Sequence, residues 1–528
     1  MPAEADVTAD VLTCDVLIVG AGAAGLYAAL MLPHGLDIVV ADKGNPSGQQ
    51  GSSPWAQGGF AAALGPDDSP QRHVADTVAA GDGLVDEAAA RVLANEIGGH
   101  VDRLRQLGAN FDVDNAGHLE LAREGGQHVA RSVKRADATG AELIRALRAA
   151  AAPRVRRLAG IVTALGGNGR IDRADVNTGG RTVQVVAGCV ILATGGCGGL
   201  YAATTNPNGA TADGLSLAIN AGVAVRDVEF VQFHPTAMAT SSTRRFLLTE
   251  ALRGAGATLH DKHGDRFMLA EHPDAELAPR HVVAHAIMQQ PEGLAYLDAT
   301  MLGSDRLTHE FPSAVAFAGQ QGFDMASQRV PVSPAAHYHM GGVRTDLWTR
   351  TSRPGLLACG EVASTGVHGA NRMAGNSLSE ALVFGARAAT AAVEDLVTPT
   401  TTAMSRRGDD AASWMTSGEP SGPPMPVTRA ALRQRMLEDV GPVRHENRLR
   451  SFVADVTSWL HACRQQPWMA TPQTVELHHA FVASRAIAIS ALRRTESRGG
   501  HQRADHPYRD PEWDGIHLEI VQPYPPAL

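Results

Sequence analysis

Short apolar runs that end at glycines mark both ends of the first 390 or so positions, and they predict a sheet. Cys14–Gly20 (CDVLIVG) reads as a short strand, Leu26–Leu32 as a helix, and Leu36–Ala41 (LDIVVA) as a second strand, the arrangement of a βαβ unit. Ala141–Ala152 is rich in Ala, Leu and Arg and predicts a helix. Arg181–Thr194 (RTVQVVAGCVILAT) predicts a pair of strands running into a glycine stop. Gly355–Gly360 (GLLACG) predicts another buried strand, followed by a glycine-rich turn and a helix from Ser377 to Leu396. Between these parallel-sheet signals, from Val228 to Tyr338, the pattern changes to mixed segments punctuated by His and Pro, as for a domain inserted into another. Pro399–Pro426 has the composition of a linker. Ala430–Arg494 reads as amphipathic helices, with apolar residues at helical spacing in Arg450–Leu460 and Val475–Leu492, and the Pro-rich tail Glu496–Leu528 reads as irregular.

The first turn carries chemistry. Gly20-Ala21-Gly22-Ala23-Ala24-Gly25 follows a strand and opens a helix, the context in which GxGxxG binds a dinucleotide pyrophosphate. Gly20 permits the tight turn, Gly22 the approach of backbone to phosphate, and Gly25 close packing of helix on strand. The helix start then faces the phosphate charge. Asp42 ends the second strand about twenty residues on, where an acid binds a ribose hydroxyl. The turn alone leaves FAD and NAD open.

Composition narrows the classes. At 528 residues the chain exceeds one hydrophobic core. A net charge of -9 gives no footing for a nucleic-acid surface. Lysine occurs only at Lys43, Lys134 and Lys262, and the other basic residues are arginines. The cysteines, Cys14, Cys189, Cys197, Cys359 and Cys463, form no CxxC pair, so neither a disulfide framework nor an iron–sulfur site is expected. His281 and His285 have the spacing of a metal pair, but among 22 histidines such spacings arise by chance, and no metal is expected. Met1–Asp10 lacks the features of a signal peptide and no apolar run reaches membrane-spanning length, so a cytoplasmic enzyme is the default expectation.

Longer motifs carry a resemblance. They are WAQGG (Trp55–Gly59), REGG (Arg123–Gly126), DATG (Asp137–Gly140), ATGG (Ala193–Gly196), TTNP (Thr204–Pro207) and EFVQFHPT (Glu229–Thr236). LLTEALRG (Leu247–Gly254), ELAPR (Glu276–Arg280), Val332–Tyr338, GEVASTGVHGANRMAGNSL (Gly360–Leu378), VGPVR (Val440–Arg444) and ESRGGHQRADHP (Glu496–Pro507) follow in order. In this set the chain resembles the succinate dehydrogenase/fumarate reductase flavoprotein family, and within it the branch that oxidises L-aspartate. The resemblance implies an α/β fold: a Rossmann-like FAD-binding domain over residues 1–227 and 339–398, and an inserted α+β capping domain over 228–338. It further implies a linker over 399–427 and a C-terminal helical domain over 428–528.

It also implies FAD. In respiratory and fumarate-reducing relatives the flavin is bonded to a histidine just upstream of the AQGG glutamine. The matching position here is Ser52, which has no imidazole nitrogen, so FAD is expected to be non-covalent. Besides the turn residues and Asp42, the motifs place Lys43, Ser52, Ser53, Gln57, Gly58, Gly59, Asp213, Glu361, Asn376, Ser377 and Leu378 at the cofactor.

The resemblance assigns proton transfer to Arg280, with His234 and His337 beside it. It assigns substrate contacts to Arg372, Thr249, Glu250, Glu124 and Gln232. Arginine suits a carboxylate because its fork donates two parallel hydrogen bonds, and a carboxylate at Glu124 favours an ammonium-bearing substrate. The implied reaction is oxidation of L-aspartate to iminosuccinate, the first step of de novo NAD synthesis, with reduced FAD reoxidised by oxygen or fumarate. Quinolinate synthase is the implied recipient of the product. A soluble fumarate reductase or a related dicarboxylate or amino-acid oxidase is the alternative, and an electron-transfer subunit with an iron–sulfur partner is a third class. The sequence departs from the branch pattern at Gln127, Lys134, His281, His285 and Gly375, all in motifs that carry the expected active site.

Overall fold

The computed structural model of the protein describes residues 3–4, 10–44, 51–398, 428–464 and 471–521. The expected linker over 399–427 lies outside the described residues. β1 (Val11–Val19), α1 (Ala23–Met31) and β2 (Ile38–Asp42) form the opening βαβ unit, with Val16–Val19 parallel to Ile38–Ala41. Strand side chains alternate between faces. Leu17, Val19, Val39 and Ala41 enter one core layer, and Val16, Ile18, Ile38 and Val40 enter the other. Both faces of the sheet are covered, so its strands read as unbroken apolar runs.

After α2 (Pro70–Ala80), α3 (Glu87–Gln106) and α4 (Thr139–Ala151) come β3 (Arg156–Ala159), β4 (Ile161–Gly166), β5 (Arg173–Asn177) and β6 (Thr182–Leu192). The main sheet runs Ala3–Glu4, β3, β2, β1, β6, β5, β4. The run Arg181–Thr194, expected as two strands, is instead one strand of 11 residues. Gly188 is not a turn. A Cβ there would lie 2.9 Å from the Asp15 carbonyl oxygen and 2.4 Å from Leu396, so the glycine admits close approach of neighbouring chain. One edge of β6 pairs with β1, and the other pairs first with β5 and then with a later strand at Leu356–Ala358.

Beyond α5 (Asp213–Asn220) the chain leaves this sheet. β7 (Val231–Met238), α6 (Glu250–Gly254), β8 (Thr258–His260), α7 (Arg280–Met288), β9 (Ala295–Asp298), α8 (Pro312–Gln320) and β10 (Val330–His339) follow. Their antiparallel sheet has the order β7, β10, β9, β8 and its own core around Met238, Leu252, Ile287 and Val332. This insertion meets the main body where Asp137 accepts from the Ser313 N–H and hydroxyl, each at 2.8 Å, and where Arg244 stacks 3.5 Å from the Trp55 ring centroid.

β11 (Leu356–Ala358) rejoins the main sheet, and α9 (Asn376–Val397) packs on α1. α10 (Arg429–Asp439), α11 (Glu446–Arg464) and α12 (Pro472–Arg493) complete the helices, with α12 against α5. Thr471 and Thr474 form a capping box at the start of α12, where Pro472 fits because a first-turn N–H has no helical partner. Over the described residues 496–521 the tail has little regular structure but is held in place. Arg494 and Arg498 are fully buried against Glu229 and Glu496, and Glu519–Ile520 pairs with Val225–Arg226. The five cysteines are free. Among the described residues no helix is long and apolar enough to cross a membrane.

Candidate active site

A continuous cleft runs from the glycine turn to the inserted sheet. At the first end, Gly20 has φ +111, and a Cβ there would lie 2.3 Å from the Ala193 carbonyl oxygen. The ends of β1 and β6 therefore meet only over glycine. Gly25 lies behind the wall, where a Cβ would sit 2.1 Å from the Gly20 carbonyl oxygen, which is the packing role expected of it. Gly22, Ala23 and Ala24 face the cleft. Helix α1 has no acid in its first turn and no side-chain cap at Gly22. Its free N–H groups make this end an anion site. The Ala23 N–H donates to Ser53 Oγ at 3.2 Å. Asp42, Ser52, Gln57, Gly58 and Gly59 line the cleft beyond.

Lys43 reaches into this end and is tied on all sides. Its ammonium donates to Thr211 Oγ1 at 2.7 Å, to Glu476 of α12 at 2.8 Å, and to Asp213. Burial alone would raise the Asp213 carboxyl and lower the Lys43 ammonium. Lys43 and His479 outweigh burial at Asp213 and hold it well below the usual carboxylate range, while Asp213 and Glu476 raise Lys43. Further along, Glu361 packs against Gly196, and burial lifts it to about 7 against the His339 N–H that donates to it at 3.0 Å.

The second end collects side chains from six segments. Arg280 opens α7, and its Nε donates to Glu250 Oε2 at 2.7 Å. Its Nη1 donates to Gln232 Oε1 at 2.9 Å, and Arg372 Nη2 donates to the same oxygen at 3.2 Å. Gln232 stands behind the wall, fixed by donating to Asn371 Oδ1 and the Arg372 carbonyl, each at 2.9 Å. The Arg372 guanidinium lies 4.8 Å from the Tyr338 ring centroid. Burial and the nearby Arg280 lower it to about 10, so it stays a cation at neutral pH. Glu250 is held low because Arg280 and Arg253 outweigh its burial, whereas burial dominates at Glu124 and raises it. The Gly59 N–H donates to Glu124 at 2.7 Å.

His234 and His337 stand edge to face, centroids 5.2 Å apart. Burial drives both well below the ordinary imidazole value, reinforced by the neighbouring arginines, so both are neutral. The Thr236 N–H donates to His234 Nδ1 at 3.3 Å, which puts the ring proton on Nε2. Nε2 is buried without a hydrogen-bond partner. Thr249 caps α6 with its oxygen and keeps its hydroxyl proton to donate. Ser377 and Leu378 line the join between the two ends.

Of the expected residues, one side chain is turned elsewhere. Asn376 faces α2, accepting from His73 Nε2 at 2.8 Å and donating to Thr77 Oγ1 at 3.0 Å, because α9 starts where α2 packs beneath it. Arg148, Thr205, Asn206 and Tyr338 line the cleft without having been singled out. Tyr338 adjoins His337, and Thr205 and Asn206 sit in the TTNP motif, so those three carried a signal. Arg148, in an Ala/Leu/Arg helix, carried none. Lys134 pairs with Glu120 away from the cleft, and neither His281 nor His285 lines it. No group of three His, Cys, Asp or Glu among the described residues is placed to hold a metal ion.

A phosphate-binding turn that opens, within one cleft, onto a buried pair of guanidiniums defines a dinucleotide-dependent oxidoreductase of small anions. The FAD binding domain family matches residues 15–378, and the fumarate reductase flavoprotein C-terminal family matches 429–519. The L-aspartate oxidase of Streptomyces coelicolor is 42% identical, over 94% of this chain and 90% of its own. That of Caulobacter vibrioides is 42% identical over 94% of each. A mutant E. coli quinol fumarate reductase FrdA chain superposes with a TM-score of 0.85 at 29% identity, over 96% of this chain and 94% of that one. The chain belongs to the L-aspartate oxidase family of fumarate-reductase-type flavoproteins. FAD is its cofactor, and the glycine cradle with the uncapped start of α1 fits the pyrophosphate of that group.

Proposed function

We propose that the protein oxidises L-aspartate to iminosuccinate, the first step of de novo NAD synthesis, and that oxygen or fumarate takes up the electrons. One observation carries this. The half-buried carboxylate of Glu124 stands in the same cleft as the guanidiniums of Arg280 and Arg372. Two carboxylates and an ammonium on one small molecule complement that set. Arg372 grips one carboxylate, His234 Nε2–H and the Thr249 hydroxyl donate to carboxylate oxygens, and Glu124 faces the ammonium. His337 stacks beside His234, and Gln232 holds the two guanidiniums in register. The resemblance assigns the proton step to Arg280, whose guanidinium, held by Glu250 at 2.7 Å, also brings positive charge to the second carboxylate. FAD, when bound, accepts the hydride.

On this reading residues 1–227 and 339–398 hold FAD, 228–338 cap the substrate, and 428–528 brace the cofactor end. Gly20, Gly22, Ala23, Ala24 and Gly25 form the pyrophosphate cradle, with Asp42 at the ribose. Lys43, Ser52, Ser53, Gln57–Gly59, Asp213, Glu361, Ser377 and Leu378 form the walls. Ser52 leaves FAD without a covalent tether, so acid precipitation should release all the flavin into the supernatant. A yellow pellet would refute this. The product passes to quinolinate synthase in the cytoplasm.

The test is anaerobic flavin reduction. Millimolar L-aspartate should bleach the flavin, and in air the same mixture should form hydrogen peroxide. A flavin left oxidised by L-aspartate sinks the proposal. Fumarate-dependent reoxidation without any reduction by L-aspartate favours the fumarate reductase reading, to which the likeness to the FrdA chain lends support.

A further inference from the structure

Gln127 belongs to neither the glycine turn nor the anion site, yet it is 3% exposed and uses every polar atom it has. Its Oε1 accepts from the Glu124 N–H at 3.0 Å. Its Nε2 donates to Ser132 Oγ at 2.9 Å and to the Ala374 carbonyl at 3.2 Å. Its own N–H donates to the Glu124 carbonyl at 3.1 Å, and its carbonyl accepts from Arg123 Nε at 2.8 Å. The amide has one usable orientation, since reversing it would set Nε2 against an N–H and Oε1 against a carbonyl.

This single side chain therefore joins two segments far apart in sequence. One is the turn that carries Glu124, whose carboxylate the Gly59 N–H also holds. The other is the turn from Arg372 to Gly375. At Gly375, φ is +84, and a Cβ would lie 2.9 Å from the Ala61 nitrogen and 3.3 Å from Gln127 Nε2. The glycine leaves the amide undisturbed. A buried side chain with all its hydrogen bonds made resists displacement, because each bond broken leaves an unpaired group behind.

We propose that Gln127 is a positioning residue that sets the separation of the Glu124 carboxylate from the Arg372 guanidinium. It thereby sets the preference for a dicarboxylate that carries an ammonium group over one that does not. This rests on the reading of the site given under Proposed function. Gln127 touches no substrate and acts only through the two groups it holds.

The test compares L-aspartate and succinate on purified, FAD-loaded protein. For L-aspartate, kcat and KM are measured; for succinate, the dissociation constant is read from the flavin absorbance change. In Gln127→Ala the preference for L-aspartate over succinate should fall about tenfold or more. The loss should lie mainly in KM for L-aspartate, with succinate affinity little changed. Gln127→Met keeps the bulk and loses the hydrogen bonds, so it should show the same fall if the alanine variant folds poorly. A preference left intact in Gln127→Met overturns the inference alone, as does an equal loss for both ligands. A wild-type protein with no preference for L-aspartate overturns the reading of the site itself.

Discussion

The two ends of the cleft are built on opposite electrostatic plans. At the glycine end the charged side chains pair within the protein: Lys43 with Asp213 and Glu476, and Asp213 also with His479. What remains for a ligand is backbone N–H and a helix start. At the arginine end, Arg280 and Arg372 divide one amide oxygen, while Arg372 Nε and His234 Nε2 are buried without a hydrogen-bond partner. An unmet buried donor costs about 1–3 kcal/mol. The first end is complete before any ligand arrives, and the second is completed by the anion it binds. Cofactor retention and substrate turnover should therefore respond to different substitutions.

Arg280→Leu tests this hardest. Turnover should fall about a thousandfold or more, while the flavin content of the purified protein is unchanged. Loss of flavin together with turnover would break the distinction. Arg372→Ala should raise KM for L-aspartate about a hundredfold, because it removes a buried charge that meets a carboxylate. Steady-state kinetics reads this directly. At the other end, Lys43→Met removes the ammonium between Asp213 and Glu476, leaving Asp213 to His479 and Glu476 to Arg429. Titration of stripped protein with FAD, followed by flavin fluorescence, should give a dissociation constant raised about thirtyfold.

The smallest effect comes from between the ends. His73 joins α2 to Asn376, and burial lowers it from 6.5 to about 4. It is neutral in the folded protein, whereas the unfolded chain takes up its proton as pH drops below 6.5. Its contribution is therefore whole above 6.5 and is lost as pH falls towards 4. By pH 5.5 the loss should amount to about 1 kcal/mol, seen in urea unfolding and flattened in His73→Gln.

Local features of the fold were legible in the sequence. The glycine turn, both strands of the opening unit and the helix after the Gly369–Leu378 motif lie where their apolar runs put them. The run Arg181–Thr194, expected as two strands, is one, and Gly188 inside it admits a close neighbour rather than breaking the strand. Of the expected site residues, most line the cleft, Gly25 and Gln232 stand behind its wall, and the Asn376 side chain turns to α2. What could not be read was pairing over distance. Gln127 meets Ala374 at a separation of 247 positions, and Lys43 meets Glu476 at 433. No local pattern records such partners, because they are chosen by how the layers stack.

The Lys43–Glu476 pair also bears on the order in which the protein is made. The glycine turn and Asp213 leave the ribosome well before α12 exists. At about 5–20 residues per second, tens of seconds separate the synthesis of Asp213 from that of Glu476. Throughout that interval Lys43, at the edge of the glycine turn, has Asp213 but not Glu476 to pair with. Asp213 holds the Lys43 ammonium first, and α12 adds Glu476 to it only when the chain is nearly finished.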